Sequence, residues 1–120
     1  AAYVVGTFLG RLYRQGQNAD LEKLVDAVCR DAGARPDFEI DNGSREIHWR
    51  TGRSGKANLL WMTNAGPARS VTVVDRAKRF GSATTATELL RNAKVSLTKG
   101  PEGKQCQVEL PEGGWAVLKW

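Results

Sequence analysis

The stretch over residues 45–75 contains three apolar runs separated by two turn signals, and it constrains the fold more than any other part of the chain. In the first run Ile47 and Trp49 alternate with polar residues, which is the period of two expected of a half-buried strand. The second run, residues 57–62, has no polar residue after Asn58. Such a run predicts a strand that is covered on both faces and lies near the middle of a sheet.

Two short segments separate these runs. Residues 53–55 are Arg-Ser-Gly, and the glycine is able to adopt a positive φ in a hairpin loop. Residues 64–67 are Asn-Ala-Gly-Pro, a second turn in which Pro67 fixes where the hydrogen-bonded ladder stops. The valine-rich run over residues 71–74 then predicts a third, β-branched strand. We therefore predict that residues 45–75 form a β-meander at the centre of an antiparallel β domain.

The flanking sequence continues the pattern of strands and turns. A short alternating segment at residues 37–41 is followed by Asn42-Gly43, which is a type I′ turn signal. Further strand patterns lie between turn-rich segments at residues 87–90, 95–98, 105–110 and 115–120. About eight short strands with frequent turns predict a mainly β fold, an antiparallel β-sandwich over residues 37–120.

The N-terminal part of the chain has a different pattern. Residues 2–9 have the composition of a buried strand, and Asn18 is a good N-cap for a following helix. Gly33 is the expected helix stop. A strand followed by an amphipathic helix is typical of an α/β layer, so we predict that residues 1–36 are a strand–helix remnant of an α/β domain. The aliphatic residues of this helix recur at helical spacing and form one stripe: Leu21, Leu24, Val25, Val28 and Ala32.

The chain has 120 residues, which suffices for one domain or for a domain with an attached element. Its 41% hydrophobic content and four tryptophans argue against disorder. No apolar run reaches the ~20 residues needed to span a bilayer, and the first residues lack the charged region and cleavage pattern of a signal peptide. Because the chain begins without Met and inside an apolar run, we expect it to be a piece of a longer polypeptide.

The net charge is +5, and the densest basic cluster, Arg76, Lys78 and Arg79, follows a predicted strand. Such a cluster is usually a solvated loop and less often a phosphate contact. A basic nucleic-acid-binding domain therefore stays open as a minor alternative. Cys29 and Cys106 are too few for a disulfide framework, and their spacing does not decide whether they pair.

Catalytic and metal-binding patterns fail at several points. The single histidine, His48, lies in an alternating strand and faces outward, where it serves neither a nucleophilic triad nor a metal site. In a calcium-binding loop that began at Asp37, the glycine would have to stand one position before Gly43. A glutamate would also have to stand at position 48, where this chain has histidine. Residues 51–56 lack two of the residues that define a phosphate loop. We predict no catalytic residue, no metal ligand and no cofactor in this chain.

The four tryptophans are the remaining functional candidates. A tryptophan in a small β domain usually belongs to the core or to an interface, but an exposed indole can stack on a sugar or a base. If Leu60 and Met62 point into the sandwich, Leu59 and Trp61 lie on the opposite face and need a cover, which another domain, another subunit or a carbohydrate would provide. We name Trp61 and Trp49 as candidate carbohydrate-binding residues.

Three stretches of the chain look like parts of a known family. AAYVVGTFLG followed by ADLEKLVDAVCRDAGARP looks like the last strand and helix of a middle α/β domain. ANLLWMTNAGPARSVTVV looks like the strand–Asn-turn–strand core of a small C-terminal β domain, and VELPEGGWAVLKW looks like its closing LPPxG-aromatic-type strand. In this order the stretches cover most of the chain and resemble the C-terminal end of bacterial β-galactosidases of glycoside hydrolase family 42. The loop over residues 76–90 departs from that pattern.

The resemblance implies that residues 1–36 end a trimerisation domain with a glutamine-amidotransferase-like fold. It also implies that the catalytic glutamates lie in an upstream (β/α)8 barrel, so no catalytic residue carries over to this chain. The chain is then a non-catalytic structural or accessory module of a retaining β-galactosidase. The partners implied are the rest of the parent hydrolase chain or neighbouring subunits, and the resemblance favours a cytoplasmic location.

Other functions stay open beside this one. The alternative is a carbohydrate-binding β-sandwich module that uses exposed tryptophans, which makes carbohydrate a further expected partner. Nucleic acid is a less favoured partner, and no membrane partner is expected. An interaction domain of another kind is the last alternative.

Overall fold

The computed structural model describes residues 19–41 and 44–120. Two compact units make up the chain, residues 1–35 and residues 36–120, and the division between them falls one residue before the predicted domain boundary. Three predicted features lie outside the described residues: the strand over residues 2–9, the N-cap Asn18 and the Asn42-Gly43 turn.

The first unit contains helix α1 (Ala19–Asp31). The helix ends in a Schellman motif, because the Ala34 amide donates to the Cys29 carbonyl at 2.8 Å and the Gly33 amide donates to the Arg30 carbonyl at 3.0 Å. Gly33 has a φ of 74°, a left-handed conformation that glycine adopts without steric cost, and the predicted stop at this residue is confirmed. In the part of the chain that the structure describes, no helix is long and apolar enough to cross a membrane.

The second unit is an antiparallel β-sandwich, as predicted, and its described residues form nine strands. One sheet has four strands in the order β1-β4-β8-β7, and the other has five in the order β2-β3-β9-β5-β6. The strand bounds are β1 (Phe38–Ile40), β2 (Ile47–Ser54), β3 (Ala57–Asn64), β4 (Arg69–Asp75), β5 (Thr85–Glu88), β6 (Ala93–Ser96), β7 (Thr98–Lys99), β8 (Lys104–Leu110) and β9 (Trp115–Lys119).

The predicted β-meander is wrong at its third strand. β2 and β3 form a hairpin, as predicted, but Ser54 pairs with Ala57, so the loop consists of residues 55–56 and not of the predicted residues 53–55. However, β4 pairs with β1 and β8 in the other sheet, so the chain crosses from one sheet to the other over residues 65–68. The reason is that β3 and β4 each have one fully buried face, and these two faces cover each other across the sandwich instead of adding to one sheet.

The core lies between the inward faces of the two sheets. One end of it is aromatic, because the ring of Phe80 meets Phe38 at 5.3 Å and Trp120 at 4.9 Å between centroids, in edge-to-face geometry. Burial of each large aliphatic side chain contributes on the order of 2 kcal/mol, so this layer is the main source of stability. Its aliphatic members include Ile40, Leu60, Met62, Val71, Val73, Val108, Leu110 and Leu118.

A buried amide fixes the crossing between the sheets. Asn64 donates through Nδ2 to the carbonyl of Pro67 at 2.8 Å and to the carbonyl of Pro111 at 3.0 Å. Its Oδ1 accepts a hydrogen bond from the Gly66 amide at 3.0 Å. Because one side chain satisfies backbone groups in both segments, Asn64 joins the crossing segment to the turn that follows β8.

Asp75 is buried at the end of β4 and holds the loop that follows it. Its carboxylate accepts hydrogen bonds from the amides of Arg79 at 2.8 Å and Phe80 at 2.6 Å. The Asp75 backbone carbonyl lies against Gly103, where φ is 150° and an added Cβ would overlap the carbonyl oxygen. Glycine is therefore required at position 103 by the backbone conformation and by the close approach together.

Replacing Gly103 with alanine is expected to lower the free energy of unfolding by about 3 kcal/mol, because the new Cβ pushes the β7–β8 turn away from Asp75. Gly55→Ala is the matched control, since Gly55 also has a positive φ, 59°, but nothing lies within 4 Å of an added Cβ. It should lose only about 1 kcal/mol from backbone strain. Urea unfolding followed by tryptophan fluorescence measures both losses, and equal losses would contradict the close approach at Gly103.

Candidate functional site

The outward side of the five-stranded sheet is the candidate site. Side chains alternate along a strand and directly paired residues share a face, so the register assigns each position to one side of the sheet. We call the outward set the outer face. It comprises every second residue from His48 to Ser54 in β2, Ala57 to Thr63 in β3, Trp115 to Lys119 in β9, Thr85 to Thr87 in β5 and Lys94 to Ser96 in β6.

Two of the four tryptophans are exposed on the outer face. Leu60 and Met62 are fully buried on the inner side, so Trp61 points outward, as the alternation predicts. Trp61 is 38% exposed and Trp115 is 60% exposed, while Leu59 between the strands is only 8% exposed. The prediction that β3 is covered on both faces is therefore wrong at Trp61, although β3 does lie inside the sheet between β2 and β9.

Gly52 makes room for the indole of Trp61. An added Cβ on Gly52 would lie 2.5 Å from Cζ3 and 3.0 Å from Cη2 of that ring. Gly52 is not among the glycines with positive φ, so the space taken by the ring, not the backbone conformation, is what requires glycine here. Gly52 also pairs with Leu59 across the two strands, which places the indole beside the Leu59 side chain.

A shallow cleft of about 310 Å³ opens beside this indole at β2, the edge strand of the sheet. Arg50 is the cross-strand partner of Trp61, and His48 is the partner of Thr63. The cleft thus presents an aromatic surface bordered by a guanidinium group, an imidazole and hydroxyl groups. Its lining residues are His48, Trp49, Arg50, Thr51, Trp61 and Thr63.

The two predicted carbohydrate-binding residues differ in their surroundings. Trp49 belongs to the inner side of the sheet, and its ring packs edge-to-face on Phe38 with centroids 6.0 Å apart. Both residues belong to the lining of the cleft, but only Trp61 lies on the outer face. Trp61 is exposed, whereas Trp49 is partly buried.

The two arginines of the basic cluster that follows β4 are engaged within the protein. Arg79 pairs with Asp37 at 2.6 Å, and Arg76 pairs with Glu39 and with Glu102. Hydrogen bonds to Glu102 and Glu39 raise the pKa of Arg76. The two guanidinium groups hold the loop after β4 against β1 and the β7–β8 turn, which agrees with the interpretation of the cluster as a loop rather than a phosphate contact.

Glu88 is a buried carboxylate, and its oxygens are occupied by the backbone. It accepts hydrogen bonds from the amides of Val117 at 3.1 Å, Arg91 at 2.8 Å and Leu90 at 3.2 Å. Burial opposes ionisation, but the three amides and the nearby Arg91 guanidinium outweigh it and hold the pKa of Glu88 below its ordinary value. An ionised group of this kind fixes the β5–β6 turn on β9 and is unsuited to general acid catalysis, which needs a raised pKa.

A second cleft, of about 360 Å³, lies beside β6 and β8 and includes Lys94, Ser96 and Cys106 in its lining. Burial raises the pKa of the Cys106 thiol to about 12, so the sulfur stays protonated and unreactive at neutral pH. Cys29 and Cys106 are both free thiols. No Asp or Glu lines either of the two clefts.

His48 is exposed and faces outward, as predicted. Across residues 19–41 and 44–120, no group of three or more His, Cys, Asp or Glu side chains is placed to hold a metal ion. Sequence reasoning missed Arg50, Gly52 and Thr63 as neighbours of Trp61. The observed register, with a loop of residues 55–56, places all three on the same side as the indole, whereas the predicted loop over residues 53–55 gives a different register and would have put Arg50 and Gly52 on the opposite side from Trp61.

No protein-family model, curated protein or solved structure matches the chain.

The close contact between Gly52 and Trp61 predicts a coupling between the two positions. Gly52→Ala is expected to lower the free energy of unfolding by about 1–2 kcal/mol, because the new Cβ displaces the indole. In a Trp61→Ala background the same change should be neutral or stabilising by about 0.5 kcal/mol, since the added methyl group then only reduces the freedom of the unfolded chain. Urea unfolding of the four proteins in the cycle gives the coupling energy, and additive effects would refute the contact.

Glu88 predicts a pH-dependent contribution to stability. The pKa of Glu88 in the folded protein lies below the ordinary value of about 4.3. The ionised carboxylate therefore contributes its full stabilisation at a pH above that ordinary value, and this stabilisation is lost as the pH falls through the pKa of the folded state. Glu88→Gln should cost about 2 kcal/mol at pH 7, because the amide nitrogen faces backbone donors. Glu112→Gln, at an exposed turn position, is the control. Unfolding measured between pH 7 and pH 3 should show the gap between wild type and Glu88→Gln closing at low pH; a constant gap would contradict the lowered pKa.

Proposed function

We propose that this chain is a non-catalytic structural module of a glycoside hydrolase of the β-galactosidase type. Support comes from the three stretches that resemble the C-terminal end of that family, in the same order along the chain. The proposed partners are the rest of the parent hydrolase chain or neighbouring subunits. Residues 1–36 are proposed to be the remnant of an amidotransferase-like domain, and the proposed location is cytoplasmic.

The observation that carries the proposal is the exposure of two aliphatic residues of α1, Leu24 and Val25. Leu24 is 47% exposed and Val25 is 51% exposed, although both belong to the apolar side of an amphipathic helix. A helix of 13 residues gains most of its stability from packing of its apolar face, not from its intrinsic propensity. A sheet of the parent chain is the natural cover for this stripe, because the family places its last helix on an α/β layer.

The carboxylates of the sandwich support a role outside catalysis. Glycosidic hydrolysis requires two carboxyl groups that flank the bond to be cleaved. Asp75 and Glu88, which are buried, use their oxygens to bind backbone amides of neighbouring turns. Asp37, Glu39 and Glu102 pair with arginines, so these carboxylates are engaged in holding the fold.

The purified chain is expected to hydrolyse nitrophenyl β-galactosides no faster than buffer does. Release of nitrophenol is measured by absorbance, with an intact family 42 β-galactosidase as the positive control. Turnover by the chain that depends on Asp75 or Glu88 would overturn the proposal. Sequencing the gene upstream of the codon for Ala1 is the second measurement, and it should reveal a (β/α)8 barrel with two catalytic glutamates; any other upstream sequence would count against the parent proposed here.

A carbohydrate-binding module is the second candidate function. Trp61 favours it, because a half-exposed indole beside a cleft with hydroxyl and guanidinium groups has the composition of a sugar-binding surface. This role is compatible with a place in a glycoside hydrolase, where it would hold substrate near the catalytic barrel. Trp49 belongs to the lining of the same cleft and is the second residue proposed to contribute.

A further inference from the structure

The indole of Trp61 is held in one orientation at the edge of the five-stranded sheet. Gly52 leaves the space that the ring occupies, and Leu59 lies beside it on the same face. A ring fixed in this way loses little conformational freedom when a ligand binds. The exposed part of the indole can pack against the apolar face of a pyranose ring, because the C–H groups on that face of the sugar point at the negative face of the aromatic ring.

Arg50 lies next to this indole and differs from other arginines of the sandwich. Arg69, Arg76 and Arg79 each pair with a carboxylate of the protein. Arg50 is exposed and has no carboxylate partner among the residues that the structure describes. Its guanidinium group borders the cleft, and the planar fork of donors matches a carboxylate in bidentate geometry.

The charge of the outer face has one sign. Arg50, Lys94 and Lys119 are cationic, and none of the outward positions in the five strands holds Asp or Glu. A surface that carries cations without acidic neighbours attracts anionic ligands and repels cationic ones. The ligand that complements this surface therefore carries negative charge.

We infer that the outer face binds an acidic saccharide, with a sugar ring on the indole of Trp61 and the sugar carboxylate on the guanidinium group of Arg50. His48 and Thr63 are the next outward pair along the same two strands, also line the cleft, and supply hydrogen bonds to hydroxyl groups. This inference rests on the second candidate function and deepens it by naming the class of ligand. It is independent of whether the parent protein is a β-galactosidase.

A saccharide fits the site better than a single-stranded nucleic acid does. Proteins that bind single strands combine a basic groove along the backbone with aromatic residues for successive bases. Here Arg76 and Arg79, the arginines of the densest basic cluster, are paired within the protein. The cleft of about 310 Å³ is at the lower end of the range for small-ligand sites, which suits a short saccharide.

Isothermal titration calorimetry of the full chain with three probes tests the inference. The probes are trigalacturonic acid, neutral β-1,4-galactotriose and an oligothymidylate. Trigalacturonic acid should bind most tightly. Arg50→Gln should weaken its binding about tenfold or more and should weaken binding of galactotriose less, because the charged hydrogen bonds to a carboxylate are lost only with the acidic sugar. Lys99→Gln, an equal change of charge in β7 of the other sheet, should alter the affinity less than about twofold.

Trp61→Ala should weaken binding of both sugars about tenfold or more. Urea unfolding checks that this variant is folded; if it is not, Arg50→Gln decides the matter, since an exposed arginine without a carboxylate partner is not needed for folding.

Equal affinity for the two sugars, with no effect of Arg50→Gln, would overturn the acidic specificity and leave the carbohydrate-binding candidate in place. If neither sugar binds, both the acidic specificity and the carbohydrate-binding candidate are overturned. Tighter binding of oligothymidylate, weakened steeply by salt, would overturn the inference in favour of nucleic acid.

Discussion

The sandwich depends on the mutual burial of two strand faces that follow each other in sequence. Leu60 and Met62 of β3 and Val71 and Val73 of β4 are all fully buried, and neither strand can satisfy its apolar face within a single sheet. The chain therefore crosses between sheets at the segment held by Asn64. When these inner faces are packed together, the alternation of side chains determines which residues of the five-stranded sheet face outward. Trp61, whose indole belongs to the candidate site, is one of them.

Three buried polar side chains complete the fold by satisfying the backbone where strands end. Asn64 bonds the crossing segment and the turn after β8, Asp75 bonds the loop after β4, and Glu88 bonds the turn after β5. Each one replaces water at amides or carbonyls that the interior would otherwise leave unpaired. In Asp75 and Glu88 the carboxylate oxygens are directed at backbone amide donors of the neighbouring turns.

The parts of the fold predicted from the sequence are those that local patterns determine. The sequence predicts the alternation in β2, β3 and β8 and the glycine that ends α1, because side-chain period and backbone conformation depend on neighbouring residues. The sequence does not predict which strands pair with β4. Its apolar face would be buried equally well if β4 were paired with β3 in one sheet or packed against β3 from the opposite sheet. The role of Gly52 was also hidden: a glycine in a strand predicts a bulge or a close approach, and only the three-dimensional arrangement shows that the approaching group is the ring of Trp61. The alternation of side chains along β2 and β3 by itself predicts that Trp49 faces the core and that Trp61 faces outward.

The pairing of charged side chains within the protein also explains how charge is distributed over its surface. Residues 37–120 contain thirteen basic and nine acidic side chains. Most of the acidic ones are engaged away from the outer face, either with arginines in β4 and the loop after it or with backbone amides. The excess of positive charge is therefore left where no carboxylate neutralises it, and Arg50, Lys94 and Lys119 place part of it on the face that also carries Trp61 and Trp115. A surface with cations and exposed indoles but no acidic group contributes little to folding, because it neither buries its rings fully nor pairs its charges. The acidic saccharide proposed above would complement this surface, because it supplies both an apolar face and a negative charge.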